Sequence, residues 1–288
     1  MTHYRKLLLP LSESPCGLAA LRLGLDVAGL WGAHLAAVVM RVDARSVAPL
    51  AGEGLSGAMI EDMMHATERE SAGRATALER VFNEAVLAAE VAVDSAPAAA
   101  IGATASLETH TGRDEDVIPG LAMLADLTIL PHPNDADSDG SECLHAVLFD
   151  SGRPVLIAPA AAPSAIGRRC CVAWNGTVES SAALGAMLPW LRQAEAVRVL
   201  HAPEYQRNGP EAPALLPYLA LHGVAADVVA FQPVNRDVGA GLLAAAADFG
   251  ADLLGVGAYS TSRLRQMILG GVTRHVLRRA QLPVLMCR

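Results

Sequence analysis

The chain has 288 residues, of which 52% are hydrophobic and 4% aromatic, and its formal net charge at pH 7 is −8. This length is enough for two ordinary domains, and the acidic balance argues against a general nucleic-acid-binding protein. Arg5 and Lys6 precede an apolar run that Pro10 ends too early for a signal peptide. No stretch offers the roughly 18 apolar residues of a membrane span. We therefore expect a cytoplasmic protein without membrane attachment.

The charge is distributed unevenly along the chain. Residues 1–163 contain 10 basic and 22 acidic side chains, whereas the remainder contains 12 basic and 8 acidic ones. Half of those 12 basic residues lie between residues 251 and 288. Solvated helix faces would explain them, but a basic cluster beside a helix N-terminus also suits a phosphate ligand.

The five cysteines do not form a metal or redox motif. Their number is odd, no C-x-x-C pair occurs, and Cys170 and Cys171 are adjacent in a predicted strand, where they point to opposite faces. We expect buried, reduced thiols.

The first half alternates strands with helices. Strands are predicted at residues 6–11, 34–42, 104–110, 127–131 and 155–158. Between them, helices are predicted at residues 15–32, 58–89 and 114–125 and from about residue 144. Ser14 is the predicted N-cap of the first helix, with Pro15 at its first position.

The second half follows the same plan after a linker at residues 159–167. Its predicted strands are residues 169–174, 197–202, 226–231, 252–257 and 284–287. A first helix follows Thr177, and a shorter one at 211–222 is interrupted by two prolines. A third helix at 238–249 ends at Gly250, and a fourth is predicted at 272–280.

The two halves resemble each other in sequence. RPVLIAP at 153–159 matches LPVLMCR at 282–288, and Ala-Asp-Leu at 125–127 matches the same tripeptide at 251–253. The repeat predicts two tandem α/β domains, at residues 1–160 and 168–288. Each is expected to be a Rossmann-like, doubly wound five-stranded parallel sheet with right-handed crossovers.

The last stretch, residues 251–288, has the order strand, glycine-containing loop, helix, strand. The backbone N–H groups at a helix N-terminus lack intrahelical partners, and the helix dipole adds positive potential there. This stretch is therefore a candidate anion site.

The segments VAWNGT, GADLLGVGAYS, RLRQMILGGVTRHVL and PVLM together resemble the universal stress protein family, in particular its tandem two-domain bacterial members. The resemblance covers nearly the whole chain. It implies the adenine nucleotide alpha-hydrolase-like fold in each half and an intramolecular pseudo-dimer joined through the last strands, with a homodimer as a further option. Many members bind ATP without being established enzymes, and others bind no nucleotide.

The family's phosphate motif is Gly, two residues, Gly, nine residues, Gly, then Ser or Thr. By resemblance it falls on Gly257, Ser260, Gly270 and Gly271, so the second and fourth positions depart from it. The family's adenine-side aspartate falls on Asn175, whose amide has a different pattern of donors and acceptors. The residues carried over as the nucleotide site are Asn175, Gly257, Ser260, Gly270, Gly271, Val272 and Thr273.

The first half lacks this motif. Pro131 and Pro133 stand where the loop glycines belong, and Ser12 stands at the aspartate position. The carboxylates of Asp135, Asp137 and Asp139 would repel phosphate, so we expect no nucleotide in this half.

Metal binding is also disfavoured in the first half. The same three aspartates resemble the start of a calcium loop, but Ala146 occupies the twelfth position, where a glutamate is needed. His110, His132 and His145 do not have a known ligand spacing. We expect no metal.

Three functions remain open at this point. The first is a non-catalytic regulatory protein in which ATP or another adenine nucleotide orders the loop at 258–269 and changes the surface offered to protein partners. The second is a nucleotide-free scaffold that acts through dimerisation and protein contacts. The third is an adenylating enzyme, for which no base, metal set or intact pyrophosphate loop is identifiable. Trp174 and Trp190 are expected in the core of the second half.

Overall fold

The computed structural model describes residues 4–43, 57–96, 102–133, 138–259 and 271–288. In these residues, eleven strands form one continuous sheet in the order β3-β4-β2-β1-β5-β6-β11-β10-β7-β8-β9. The strands are β1 (Lys6–Pro10), β2 (His34–Arg41), β3 (Ala92–Val93), β4 (Thr104–Thr111), β5 (Leu127–Leu130), β6 (Val155–Ile157), β7 (Arg169–Ala173), β8 (Ala196–His201), β9 (Asp227–Ala230), β10 (Leu253–Gly257) and β11 (Val284–Cys287).

The two halves meet through the last strand of each. Neighbouring strands within each half are parallel, whereas β6 and β11 pair antiparallel, with Leu156 opposite Leu285. The strand order of the second half is therefore the reverse of the first, as in a dimer about a pseudo-two-fold axis. This is the α/β architecture that the sequence predicts, with one addition. The two-residue edge strand β3 was not predicted, because both its residues are exposed and the apolar run around it, Val-Ala-Val at 91–93, is only three residues long.

Helices cover both faces of the sheet. They are α1 (Pro15–Trp31), α2 (Gly57–Ala88), α3 (Asp114–Ala122), α4 (Ser138–Asp150), α5 (Val178–Leu191), α6 (Leu215–Leu221), α7 (Val238–Phe249) and α8 (Val272–Arg279). Two short 3-10 segments, Pro203–Tyr205 and Ala212–Ala214, precede α6. Within the described ranges, no helix combines the length and the apolar character that crossing a membrane requires.

The residues predicted to begin and end helices α1 and α7 do so in the structure. The hydroxyl of Ser14 accepts a hydrogen bond from the backbone N of Gly17 at the start of α1, and α1 ends at Gly32, whose φ is 58°. Helix α7 begins at the N-cap Asp237 and ends at Gly250, with φ 71°. The predicted start of α4 near Leu144 is wrong, because the helix begins at Ser138. The sequence of its first turns is acidic and polar, which is typical of a loop and led to the wrong prediction. Acidic residues are, however, also favourable beside a helix N-terminus.

The core has two layers, one on each face of the sheet. Cys170 packs in the layer beneath α1 and α5, and its neighbour Cys171 packs in the layer beneath α4 and α7. All five cysteines are buried free thiols. Alternation along β7 thus places adjacent thiols in different layers, where they cannot form a disulfide with each other.

Aromatic residues from both halves meet in the first layer. Trp190 lies 5.3 Å from Trp31 and 6.0 Å from Tyr4 between ring centroids, and its Nε1 donates a hydrogen bond to the Tyr4 hydroxyl. Trp190 therefore packs across the boundary between the halves rather than in the core of the second half alone, because β6–β11 pairing brings α1 and α5 onto one face of a shared sheet.

Candidate functional site

The candidate site is a cavity of about 600 Å³ in the second half. It lies beyond the carboxyl ends of β7, β8 and β10, where the chain order of neighbouring strands reverses between β10 and β7. Such a reversal leaves a crevice at the strand ends, which is the usual place for a ligand in a doubly wound sheet. Its lining residues are Ala173, Trp174, Asn175, Ser180, Leu200, Ala202, Tyr205, Arg207, Phe231, Asn235, Arg236, Asp237, Val238, Leu242, Val256, Gly257, Gly271, Val272 and Thr273.

Asn175 follows β7 and its side chain is held in a fixed orientation. Its Oδ1 accepts hydrogen bonds from the backbone N and the hydroxyl of Thr177, at 3.3 and 2.8 Å. The Thr177 hydroxyl in turn accepts from the backbone N of Ser180 in α5. Because a backbone N–H can only donate, the oxygen of the amide must face Thr177. The Nδ2 group has no partner among the described residues, so Asn175 offers donors to a ligand.

Gly257 ends β10 directly against the start of α5. A Cβ at this position would lie 2.5 Å from the backbone N of Ser180 and 2.7 Å from the backbone carbon of Glu179. A side chain cannot be accommodated there without moving the α5 backbone. The first glycine of the motif is thus required for packing, independently of any ligand.

The N-terminus of α8 opens into the same cavity. Gly271 is the N-cap, and no side chain among the described residues caps this helix end. Its backbone is extended, with φ −84° and ψ 166°, and an added Cβ would meet no described residue within 4 Å. The structure therefore has room for the hydroxyl residue that the motif calls for, and the departure at Gly271 removes a donor without relieving any clash.

Five of the predicted site residues come together in this cavity: Asn175, Gly257, Gly271, Val272 and Thr273. Ser260 and Gly270 lie outside the described residues, as does most of the loop predicted to carry phosphate. That these residues contact a nucleotide stays a prediction.

Two arginines that the sequence analysis missed also line the cavity. Arg207 follows β8, and Arg236 immediately precedes α7; both are exposed. Their positions in the sequence could have indicated them. Both arginines follow predicted parallel strands, and the loops after consecutive parallel strands converge on the same edge of a sheet. The adjacent Asp237 contacts His275 of α8, with Oδ2 2.6 Å from Nδ1.

Tyr259 connects the cavity to the first half of the chain. It follows Ala258 at the end of β10, has φ 54°, and its backbone N donates to the Thr273 hydroxyl at 3.4 Å. Its hydroxyl lies 2.6 Å from Nε2 of His145 in α4, and its ring packs against His145 and Phe149. The second residue of the loop predicted at 258–269 is thus anchored on the other half.

The equivalent positions of the first half have different chemistry. The Ser12 hydroxyl, at the aspartate position, lies 3.0 Å from the Ser14 hydroxyl. Asp135 and Asp137 are outside the described residues, and for Asp139 only the backbone, within α4, is described. His110 pairs with Glu108 at 3.3 Å. Within the described part of the chain, no three residues of metal-ligating type lie close enough together to hold an ion.

Comparison with known proteins agrees with this architecture. The family model of the universal stress protein family matches residues 168–288. The chain is similar to the crystal structure of a universal stress protein from Archaeoglobus fulgidus DSM 4304, with 16% identity, a TM-score of 0.68, and coverage of 98% of this chain and 96% of that one. It is also similar to a functionally unknown protein from Pseudomonas aeruginosa PAO1, with 15% identity, a TM-score of 0.52, and coverage of 99% and 92%.

At these identities the solved structures show the fold alone. Among curated protein sequences the search found no significant match. The family match, together with the structural likeness over nearly the whole chain, identifies the architecture. Residues 168–288 match the model of the universal stress protein family, and the chain as a whole has the fold of a solved universal stress protein.

Proposed function

We propose that this protein is a non-catalytic, cytoplasmic stress-response protein that binds an adenine nucleotide such as ATP in the cavity of its second half. The observation that carries the proposal is the meeting of Asn175, Gly257 and the uncapped N-terminus of α8 in one cavity. Its volume of about 600 Å³ lies within the usual range for small-molecule sites. The free N–H groups and dipole of α8 favour a phosphate at that end.

We assign the cavity a binding role, which requires no general base. Asp237 is the one carboxylate among the described lining residues. It accepts a hydrogen bond from the backbone N of Ala240 in α7, and its Oδ2 lies 2.6 Å from Nδ1 of His275 in α8, so its contacts give it a structural role where the two helices meet.

In the proposed mechanism, the protein responds to whether a nucleotide occupies the cavity. Tyr259 contacts Thr273 at the cavity edge and His145 in α4, so a ligand at the N-terminus of α8 would act on a residue shared with the first half. Bound nucleotide would then alter the surface that the two halves jointly present to a protein partner.

Nucleotide content and titration test this function. We expect protein purified under native conditions and then denatured to release an adenine nucleotide, and the apo protein to bind ATP in calorimetric titration. Asn175→Ala should weaken binding because it removes the Nδ2 donors. Asn208→Ala is the matched control, since Asn208 lies in the neighbouring loop but not in the cavity wall.

Two results would contradict the proposal. No released nucleotide and no heat at millimolar ATP would favour the nucleotide-free scaffold. Turnover of ATP by wild-type protein that Asn175→Ala abolishes would instead identify an enzyme.

A further inference from the structure

We infer that Arg207 and Arg236 together select an anionic ligand, and that Arg236, beside the N-terminus of α8, replaces the hydroxyl that the phosphate motif lacks at Gly271. The inference deepens the proposed function and rests on it in one respect, namely that the ligand is a nucleotide. The ligand class that it defines is a phosphorylated, acceptor-rich molecule, as opposed to an uncharged nucleoside.

Arg236 lies in a turn whose backbone is better suited to glycine. Val234 and Asp237 exchange two backbone hydrogen bonds of 3.1 and 2.8 Å, and the residues between them, Asn235 and Arg236, have φ of 51° and 65°. A two-residue turn with both central φ values positive prefers asparagine followed by glycine. Arginine at the second position is disfavoured by its Cβ. Strain of this kind is retained where the side chain has a role.

The guanidinium of Arg236 is available to a ligand. Its side chain has no hydrogen bond or ion pair within the described residues, although Asp237 is next to it. The carboxylate of Asp237 is taken up by the backbone N of Ala240, at 3.1 Å, and by His275. Arg236 thus lines the cavity as an unneutralised cation.

The turn also places Arg236 beside the N-terminus of α8. The Asp237–His275 contact joins the start of α7 to α8, and the two helices approach so closely that a Cβ on Gly239 would lie 2.6 Å from Cβ of His275. Arg236 therefore adds a guanidinium to the helix end where Gly271 provides no hydroxyl. Guanidinium groups bind phosphate with charge-assisted, often bidentate hydrogen bonds.

Arg207 is fixed on the opposite loop of the cavity, next to Asn175. Its backbone N donates to the Asn175 carbonyl at 2.8 Å. Farther along the same loop, the Pro210 carbonyl accepts from Trp174 Nε1 and from Gln206 Nε2. The guanidinium itself has no partner among the residues that the structure describes, so a rigid backbone presents an unpaired cation.

The charge of the cavity wall is opposite to that of the chain. The chain carries a net charge of −8, yet the charged residues described in the wall are two arginines and one aspartate that already has partners. The Nδ2 of Asn175 and the N–H groups of α8 add further donors. A wall of donors and cations selects an anion rich in acceptors.

Calorimetric titration of adenosine, AMP, ATP and inorganic pyrophosphate into purified apo protein tests the inference. We expect ATP and AMP to bind wild-type protein more tightly than adenosine. Arg207→Gln and Arg236→Gln should each weaken ATP binding about tenfold or more and leave adenosine binding unchanged. Arg192→Gln is the control for lost charge, since Arg192 bonds to His222 outside the cavity.

A second variant separates binding from folding. Arg236→Gly should raise the melting temperature, because it relieves the positive φ, while it weakens ATP binding. Asn235→Gly changes the neighbouring turn position without loss of charge, and because asparagine is already favoured there it should shift the melting temperature less and provides the reference for stability. A gain in stability with a loss of affinity is not expected of a residue with a merely structural role.

The outcomes distinguish the inferred role of the two arginines from the proposed binding of an adenine nucleotide. Wild-type protein that binds adenosine as tightly as ATP, or arginine variants that bind ATP like wild type, would overturn the inference while adenine recognition stands. If wild-type protein binds none of the three adenine compounds, the proposed function fails. In that case pyrophosphate binding that depends on both arginines would still support the inference, and its absence would overturn that as well.

Discussion

Asp126 and Asp252 occupy equivalent positions in the two halves and make the same contact. The Asp126 carboxylate accepts hydrogen bonds from the backbone N of Arg5 and Lys6 at the start of β1. The Asp252 carboxylate accepts from the backbone N of Gly167, Arg168 and Arg169 at the start of β7. Each aspartate therefore holds the first strand of its half, β1 or β7, beside the neighbouring strand, β5 or β10. The Ala-Asp-Leu tripeptide thus occurs in both halves at positions where its aspartate has the same structural role.

We predict that Asp252→Ala destabilises the protein by about 1–3 kcal/mol, because it leaves three backbone donors without their acceptor. Asp126→Ala should cost less, since two donors are involved. The free energy of unfolding in urea measures both. Equal stability of Asp252→Ala and wild-type protein would show that this contact does not hold the strand.

The Tyr259–His145 contact should couple the halves energetically. Tyr259→Phe is expected to cost about 1 kcal/mol, and a double-mutant cycle with His145→Ala should give a coupling energy of about 0.5–1.5 kcal/mol. Tyr218→Phe is a matched control, because Tyr218 packs beside His222 at 4.7 Å between rings but its hydroxyl has no hydrogen bond among the described residues. A coupling energy of zero would mean that the contact contributes nothing to joining the halves.

Alkaline pH should destabilise the fold through its buried thiols. Burial raises the pKa of Cys143, Cys171 and Cys287 to about 12 in each case. In the unfolded chain these thiols ionise near their ordinary pKa of about 8.5, so stability is unaffected below that pH and decreases as the pH rises toward 12. Each thiol contributes up to about 1.4 kcal/mol per pH unit.

Urea unfolding at pH 7.5, 9 and 10.5 measures this effect. Cys143→Ala should show a shallower decrease above pH 9 than wild-type protein, whatever its stability at pH 7.5. An identical slope for the two proteins would contradict the assignment of the effect to this thiol.

Restoring the hydroxyl of the phosphate motif should improve nucleotide binding. The extended backbone of Gly271 suits a serine, and within the described part of the chain no residue would clash with its Cβ. A new hydrogen bond to phosphate is worth about 0.5–1.5 kcal/mol, so Gly271→Ser should tighten ATP binding about two- to tenfold. Gly271→Ala adds the same Cβ without the hydroxyl and should bind ATP like wild type. If alanine and serine behave alike in calorimetric titration, no phosphate lies at this position.

The sequence predicts the fold well because its main signals are local. Apolar strands, the Ser14 N-cap and the αL glycines at 32 and 250 define elements without reference to the rest of the chain. The repeat then supplies the tandem arrangement. The elements that escaped prediction lack such signals. Edge strand β3 exists only because β4 offers it a partner, and the acidic start of α4 has no apolar periodicity.

From the sequence, only those residues of the candidate site that belong to the family's nucleotide motif were predictable. The start of α8 follows from the order of strand, loop and helix, whereas Asn175 and Gly257 follow from the resemblance to the universal stress protein family. Arg207 and Arg236 do not, because no motif includes them and their importance depends on which loops the sheet order brings together. The place of Trp190 across the two halves likewise depends on β6–β11 pairing, which joins residues more than 100 positions apart.

The stoichiometry of ATP binding tests the central claim most directly, because we propose one nucleotide in the cavity of the second half and none in the first half. We predict that calorimetric titration of ATP into the apo protein gives a saturable isotherm with one nucleotide per chain, weakened by Asn175→Ala. Absence of binding at millimolar ATP, or two nucleotides per chain, would contradict this account.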